Sequence, residues 1–164
     1  MDGPRNGSDL CVACGLCCQG VFHEQARAFP EEVPLLEEKG FTVCHGPRGL
    51  SFALPCSYLG ATGCSVYAER PRTCRSYQCR LLTRYLDREV PLEQALRTVE
   101  QVRELRDRIL QRLGAADPTR SLWQQLRCEA PESLDPETSL DIASLLVLAA
   151  RHFEALGSPR RVTS

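Results

Sequence analysis

The residues best suited to chemistry are cysteines, of which this chain of 164 residues has ten. Four of them form the run C-x-x-C-G-x-C-C, as Cys11, Cys14, Cys17 and Cys18. A C-x-x-C step lets two thiolates converge on one metal ion, as in zinc knuckles, and two such steps in succession also wrap iron–sulfur clusters. Gly15 suits a turn with positive φ directly after the second cysteine. The run therefore predicts a thiolate metal site, with zinc and iron–sulfur as open alternatives.

The adjacent pair Cys17 and Cys18 argues for more than one site. Neighbouring side chains diverge in most backbone conformations, so both thiols do not readily complete one mononuclear site with Cys11 and Cys14. Two metal ions or one larger cluster fit better. The further candidate ligands are Cys56, Cys64, Cys74 and Cys79. Eight thiolates suffice for two four-coordinate sites, and they equally fit one cubane with leftover ligands or a redox pair.

Composition limits the class of protein. The hydrophobic fraction of 43% and the charged fraction of 25% are ordinary for a globular chain. The net charge of -1 gives no overall electrostatic footprint for nucleic acid or an anionic membrane. No apolar stretch reaches the roughly 18 residues of a transmembrane helix. The basic residues are arginines apart from Lys39, a bias typical of G+C-rich bacterial genomes.

The compartment decides how the cysteines are interpreted. The first ten residues are polar and lack the apolar segment of a secretory signal, so we expect a cytoplasmic protein. In a reducing compartment thiols stay free, bind metal or do redox work. Structural disulfides and buried, unreactive thiols are the weaker alternatives.

Short elements are predicted in the cysteine-rich region, residues 9–80. They are a helix over 30–39, strands over 41–44 and 50–54 on either side of a Gly- and Pro-containing turn, and a third strand over 64–67. Such a region has few large apolar side chains, so we expect bound metal to help it fold.

Helices are predicted after the last clustered cysteine. Apolar residues spaced by three and four predict an amphipathic helix that ends at Gly114. A second helix is predicted over 119–128, and a third over 136–156 with Asp135 as N-cap. On the third helix, the residues predicted to be buried are Ile142, Leu145, Leu146, Ala149, Phe153 and Leu156.

The predicted fold class is α+β: a small cysteine-rich metal-binding lobe with short strands and loops, followed by about three α-helices. We divide the chain into a zinc- or iron-chelating cysteine-cluster region at 9–80, a helical region packing on it at 81–157, and a flexible tail at 158–164.

The order of motifs resembles that of a known family. The cysteine run is followed by P-C-x-Y-L at 55–59 and by G-C-x-V-Y-x-x-R-P-x-x-C-R-x-Y-x-C at 63–79. This combination resembles the YkgJ-type family of zinc- or iron-chelating cysteine-cluster proteins. The resemblance implies metal chelation by Cys11, Cys14, Cys17, Cys18, Cys56, Cys64, Cys74 and Cys79. At the last of these, Tyr77 and Gln78 stand where the family leads us to expect an aromatic residue and a proline.

Other side chains near the cluster have two interpretations each. His23 and His45 carry ring nitrogens that can bind zinc, although eight thiols already suffice. Cys44 is a ninth ligand, a resolving thiol or, more simply, a buried strand residue, and Cys128 is expected to be inert packing. The nearby arginines are Arg70, Arg72, Arg75, Arg80 and Arg84. They can lower thiolate pKa values, offset site charge or receive an anionic partner, but surface charge is the simpler interpretation.

Three functions remain. The first is a metal-binding protein that holds zinc or iron, with an iron–sulfur cluster as one form of the iron. The second is an iron–sulfur-dependent enzyme, because the resemblance extends to flagellin lysine methylases. The third is a thiol-redox or metal-delivery protein in which pairs such as Cys17 and Cys18 cycle between bound and released states. We expect a metal ion as ligand and a protein partner on the helical region, with no membrane or nucleic-acid partner.

Overall fold

The computed structural model describes residues 6–115, 117–130 and 132–153. The α-helices of this part, α1 to α7 in chain order, span Gly7–Cys14, Val33–Glu38, Arg72–Ser76, Arg80–Leu86, Leu92–Leu113, Leu122–Glu129 and Pro136–His152. The strands, β1 to β5, span Gln25–Arg27, Val43–Gly46, Gly49–Ala53, Leu59–Gly60 and Gly63–Cys64. Short 3-10 turns lie at Pro30–Glu32 and Tyr67–Glu69. This mixture confirms the predicted α+β class, and the tail at 158–164 lies outside the described residues.

The strands form two small antiparallel sheets. The first has the order β1-β3-β2, and the tight turn between Gly46 and Gly49 joins β2 to β3 as the sequence predicted. The second is the pair β4-β5, in which Leu59 lies opposite Cys64. The third strand, predicted over 64–67, is therefore only two residues long, because β4 offers only two partners before the chain turns into a 3-10 helix.

Two separate apolar clusters stabilise the chain. The main core consists of the buried apolar residues of α1, α4, α5, α6 and α7 together with Leu16, Val21, Phe22, Val90 and Phe153. The sheet core consists of Ala28, Leu36, Phe41, Phe52 and Leu54. The main core therefore spans both the cysteine run and the helices, whereas the sheet core belongs to the segment between the two sets of cysteines.

The long helices follow the predicted patterns. Helix α5 ends at Gly114, whose backbone adopts the left-handed conformation with φ 64°. The Asp135 carboxylate accepts the Thr138 amide hydrogen and caps α7, as predicted. Leu146 is 41% exposed, so the prediction that it is buried is wrong. It follows Leu145 on the helix and is rotated about 100° away from the packed face. Leu156 lies outside the described residues.

Three helices were not predicted, and one of them is the short helix α3, which carries Cys74. Helix α1 contains the first two cysteines, whose C-x-x-C spacing we had interpreted as a knuckle turn. Helix α4 directly follows Cys79, so four helices rather than about three lie beyond residue 80 in the described part.

A buried ion pair joins α5 to α7. The Asp141 carboxylate accepts two hydrogen bonds from Arg108, at 3.0 and 2.8 Å, and one from Arg112 at 2.6 Å. The hydrogen bond from Arg108, with that from Arg112, lowers the pKa of Asp141 to about 2. This bidentate geometry fixes the register of the two helices.

Helix α6 is attached to the segment that follows the cysteine run. Ser121 and Gln124 form a capping box at its start. The Trp123 indole N–H donates to the Val21 carbonyl at 2.9 Å. The amide of Leu122 donates to the carbonyl of Gly20 at 3.3 Å. These bonds connect the helical region directly to the candidate site.

Candidate metal centre

The first two candidate ligands lie one turn apart on helix α1. Cys11 and Cys14 have i, i+3 spacing, which places both on one side of the helix. Gly15 ends the helix in the left-handed conformation at φ 61°, and its amide donates to the Cys11 carbonyl. The amide of Gly20 then donates to the Cys17 carbonyl at 3.0 Å, which closes a turn around the adjacent pair. The run is thus a helix followed by a turn.

The second set of cysteines is bonded to the first through the backbone. The Cys56 amide donates to the Cys18 carbonyl at 2.7 Å. The hairpin β4-β5 then reverses the chain, so that Cys64 returns towards the segment that carries Cys56.

Gly63 brings this hairpin against helix α1. Its φ is 107°, and a Cβ at this position would lie 2.5 Å from a methyl group of Val12. A side chain there is excluded by both the backbone conformation and the contact. The close approach places Cys64 beside Cys11, two electrostatic neighbours.

The last two cysteines lie on either side of the junction between α3 and α4. Cys74 is in α3, and Cys79 is the N-cap of α4, where its sulfur accepts the Leu82 amide hydrogen at 3.4 Å. Between them, the Tyr77 hydroxyl lies 3.3 Å from Nε2 of His23, and the two rings meet edge to face. His23 therefore packs beside the site and contacts a tyrosine.

The thiols differ in the apolar cluster that they pack against, and Cys11 is an electrostatic neighbour of thiols on both sides of this division. Cys14, Cys17 and Cys79 pack against the main core, and we call them the inner thiols. The charge of Cys79 acts on both Cys14 and Cys17. Cys11, which is exposed, is also an electrostatic neighbour of all three inner thiols.

The outer thiols are Cys18, Cys56, Cys64 and Cys74. Cys56 and Cys74 pack against the sheet core. Cys18 is an electrostatic neighbour of Cys56, Cys11 and Cys64, and Cys74 is a neighbour of these three and of Cys18. Cys17 and Cys18 are also neighbours of each other, but only Cys17 packs against the main core.

Burial keeps most of these thiols protonated. It raises the pKa of Cys14, Cys18 and Cys74 to about 12, and it raises the pKa of Cys17 well above its usual value. All ten cysteines are free thiols, so the structure contains no disulfide. A metal ion that binds here must displace thiol protons.

Backbone amides act on the sulfur of four of the eight cysteines. Cys14 is affected by the amide of Leu16, and Cys18 by its own amide. Cys56 is affected by Tyr58 and Leu59, and Cys79 by Leu81 and Leu82, of which Leu82 donates a hydrogen bond at 3.4 Å. These bonds oppose the rise in pKa because they stabilise the thiolate. N–H groups directed at sulfur are the arrangement that a thiolate metal knuckle requires.

Arg103 is a neighbour of the site that sequence reasoning missed. It lies on α5, and its guanidinium donates to the carbonyl of Cys14 at 2.8 Å and to that of Ala13. Its charge also opposes the rise in the pKa of Cys14. Arg106, one turn later, donates to the side chain of Gln19. No local signal marks these arginines, since they are about 90 residues from their partners.

The arginines singled out from the sequence mostly make structural contacts. Arg70 is the exception, because its charge opposes the rise in the pKa of Cys11. Arg72 pairs with Glu31, Arg84 pairs with Glu89, and Arg80 donates to a carbonyl at the end of α7.

The remaining candidates lie away from the two groups. His45 is exposed on β2, and Cys44 is half-buried on the same strand, opposite Ser51. Cys128 is exposed on α6, so the expectation of a packed thiol is wrong there. The buried face of α6 is formed instead by residues such as Leu126.

The donor set fits the metals of the resemblance. Thiolates are the ligands of structural zinc and of iron–sulfur clusters, and eight thiols are enough for two four-coordinate sites. Within the described residues, no group of three or more His, Cys, Asp or Glu side chains is already arranged to hold a metal ion. Binding therefore requires the thiols of a group to close around the ion.

Fold and site together define a small α+β protein with a cysteine-cluster centre. A family model matches residues 10–107, more than half of the chain, and extends past the cysteines into α5. The chain belongs to this family, CxxCxxCC, whose description is "Putative zinc- or iron-chelating domain". No curated protein and no solved structure matches the chain. Across the described residues, no helix is both long and apolar enough to cross a membrane.

Proposed function

We propose that this protein binds two metal ions, each through four cysteine thiolates. The inner site is Cys11, Cys14, Cys17 and Cys79, and the outer site is Cys18, Cys56, Cys64 and Cys74. The observation that carries the proposal is that free thiols pack against two different apolar clusters, Cys14, Cys17 and Cys79 on the main core and Cys56 and Cys74 on the sheet core.

Cys11 is assigned to the inner site for two reasons. It shares one side of α1 with Cys14, and the outer group already has four thiols without it. Its contact with Cys64 places the two sites side by side.

Zinc is the ion that we assign to both sites. A tetrathiolate zinc site carries a net charge of -2, and Arg70 and Arg103 lie where they offset part of it. The thiols are shielded from solvent, and a reducing compartment such as the cytoplasm keeps thiols from forming disulfides. Both conditions favour a structural metal ion bound by thiolates over a disulfide.

An iron–sulfur cluster at the inner site is the second candidate. Cys11, Cys14 and Cys17 have the C-x-x-C-x-x-C spacing that wraps such clusters, and Cys79 supplies a remote fourth thiolate. This alternative would make the protein a redox or catalytic one.

The test is elemental analysis with an absorption spectrum of protein purified without oxygen. We expect about two zinc ions per chain and no visible absorbance, because two four-coordinate sites are available. Iron with acid-labile sulfide and a brown colour would favour the second candidate. Protein that binds no metal under any loading condition would contradict both.

Single variants test the assignment of ligands. Cys64→Ser and Cys79→Ser should each remove one ion, because each leaves one site with three thiolates. Cys128→Ser is the matched control, since this thiol is exposed on α6 and belongs to neither proposed site. Full zinc content in Cys64→Ser and Cys79→Ser would remove these residues from the sites.

A further inference from the structure

The two thiol groups are supported by very different parts of the fold. The inner thiols pack on the main core, which includes buried residues of five helices. Cys79 is fixed as the N-cap of α4, and the carbonyl of Cys14 is held by Arg103 of α5. Movement of the inner thiols would therefore disturb the best-packed part of the molecule.

The outer thiols are supported by short elements. Cys56 and Cys74 pack on a sheet core of five buried residues, and Cys64 lies at the end of a two-residue strand. Helix α3, which carries Cys74, is five residues long and has no side-chain N-cap bond. Elements with few buried contacts open locally at much lower free energy than a main core.

The hairpin that carries Cys64 also has free space beside it. A cleft of about 690 Å³ lies between the hairpin β4-β5, helix α1 and Arg103. Leu59, Gly60 and Gly63 line the hairpin side of this cleft. The cleft leaves this side of the hairpin uncovered apart from the contact of Gly63 with Val12.

We propose that the outer site gives up its metal ion to competing ligands in solution, whereas the inner site retains its ion. The proposal rests on the two zinc sites of the proposed function and gives them separate roles. An incoming thiol or chelator replaces the cysteine thiolates one after another, and each released thiolate takes up a proton. The zinc ion stays divalent throughout, so no oxidant or reductant is needed.

This division gives the two ions distinct roles. The inner ion belongs to the structure, because it ties the cysteine run to the start of α4 through Cys79. The outer ion is cargo that the protein takes up and gives up when the hairpin opens. The chemical class of partner is a small or protein-borne thiolate ligand that competes for zinc.

The test uses the full chain, loaded with two equivalents of zinc and mixed with an excess of the chromophoric chelator 4-(2-pyridylazo)resorcinol. We expect two release phases of equal amplitude whose rates differ by about tenfold or more, since local opening free energies vary widely within one protein. Cys64→Ser should remove the fast phase.

A second variant probes the inner site without removing a ligand. Arg103→Met should accelerate the slow phase and leave the fast phase unchanged, because it frees the carbonyls of Ala13 and Cys14. Arg97→Met is the matched control, since Arg97 lies on the same helix and pairs only with Glu93 at the surface among the described ion pairs.

The outcomes separate this inference from the proposed function. Release of both ions in one phase, or loss of the slow phase in Cys64→Ser, would overturn the inference while leaving two zinc sites in place. Failure of the wild-type chain to bind zinc would instead overturn the proposed function. An equal effect of Arg103→Met on both phases would also contradict the separate support of the two sites.

Discussion

The helical part and the cysteine-rich part of this molecule are stabilised in different ways. The main core contains eighteen buried residues, whereas the sheet core contains five. Apolar burial is therefore sufficient for α5, α6 and α7, but the segment between the two sets of cysteines buries little. The difference shows that one small chain can combine a large apolar core with a region that has little apolar burial of its own.

Removal of the metal should produce the largest difference between the helical part and the cysteine-rich part. Structural zinc contributes about 10–16 kcal/mol of apparent binding free energy at neutral pH, so its loss should open the cysteine-rich part. Hydrogen exchange of chelator-treated protein under reducing conditions should show fast exchange in β1 to β5 and α3. Amides of α5 should remain protected, and their equal loss of protection would show that the two parts are one cooperative unit.

A substitution in the main core should destabilise the helical part and leave the zinc content unchanged. Leu145 is fully buried on α7, and Leu145→Ala should lower the free energy of unfolding of the helical part by about 3 kcal/mol, because it leaves a cavity. Denaturant unfolding measures this loss, and zinc content should be unchanged. Leu146→Ala, at the exposed neighbour, should change stability by less than about 0.5 kcal/mol. Similar losses in the two variants would contradict the described packing of α7.

A smaller effect is expected at the ion pair between α5 and α7. The pKa of Asp141 is lowered to about 2 by its hydrogen bonds from Arg108 and Arg112. A lowered pKa means that the stabilisation is complete above the unfolded pKa near 4 and is lost as the pH falls towards 2. Asp141→Asn should therefore cost about 1 kcal/mol at neutral pH, because the arginine partners are partly exposed and solvent screens the interaction.

The control for this substitution is its pH dependence. Asp141→Asn should show a smaller loss of stability than the wild type between pH 5 and pH 2, measured by chemical unfolding of the helical part. Equal losses in the two proteins would show that the carboxylate does not stabilise the contact.

Local patterns predicted the parts of the fold that depend on local forces. The spacing of apolar residues predicted α5 up to Gly114, and Asp135 was recognised as the cap of α7. Helix α1 was missed because the spacing of Cys11 and Cys14 suits both a knuckle and one helical turn. The wrong prediction for Leu146 shows that the spacing of apolar residues locates the buried face of a helix only to within one residue.

The arrangement of the thiols depended on contacts between distant residues. The adjacency of Cys17 and Cys18 indicated that their side chains diverge, but it could not identify the thiols that lie beside each of them. That outcome depends on the bond between Cys56 and Cys18 and on the approach of Gly63 to α1. The role of Arg103 was also inaccessible, because it lies 89 residues from the cysteine whose carbonyl it binds.

The bond between Trp123 and Val21 has a practical consequence. Trp123 is the only tryptophan of the chain, and its indole N–H is bonded three residues after Cys18. Excitation at the red edge of protein absorbance therefore reports on one place, the junction between the cysteine run and α6. The emission maximum of this single fluorophore gives a label-free signal with which to follow the thiol cluster in real time.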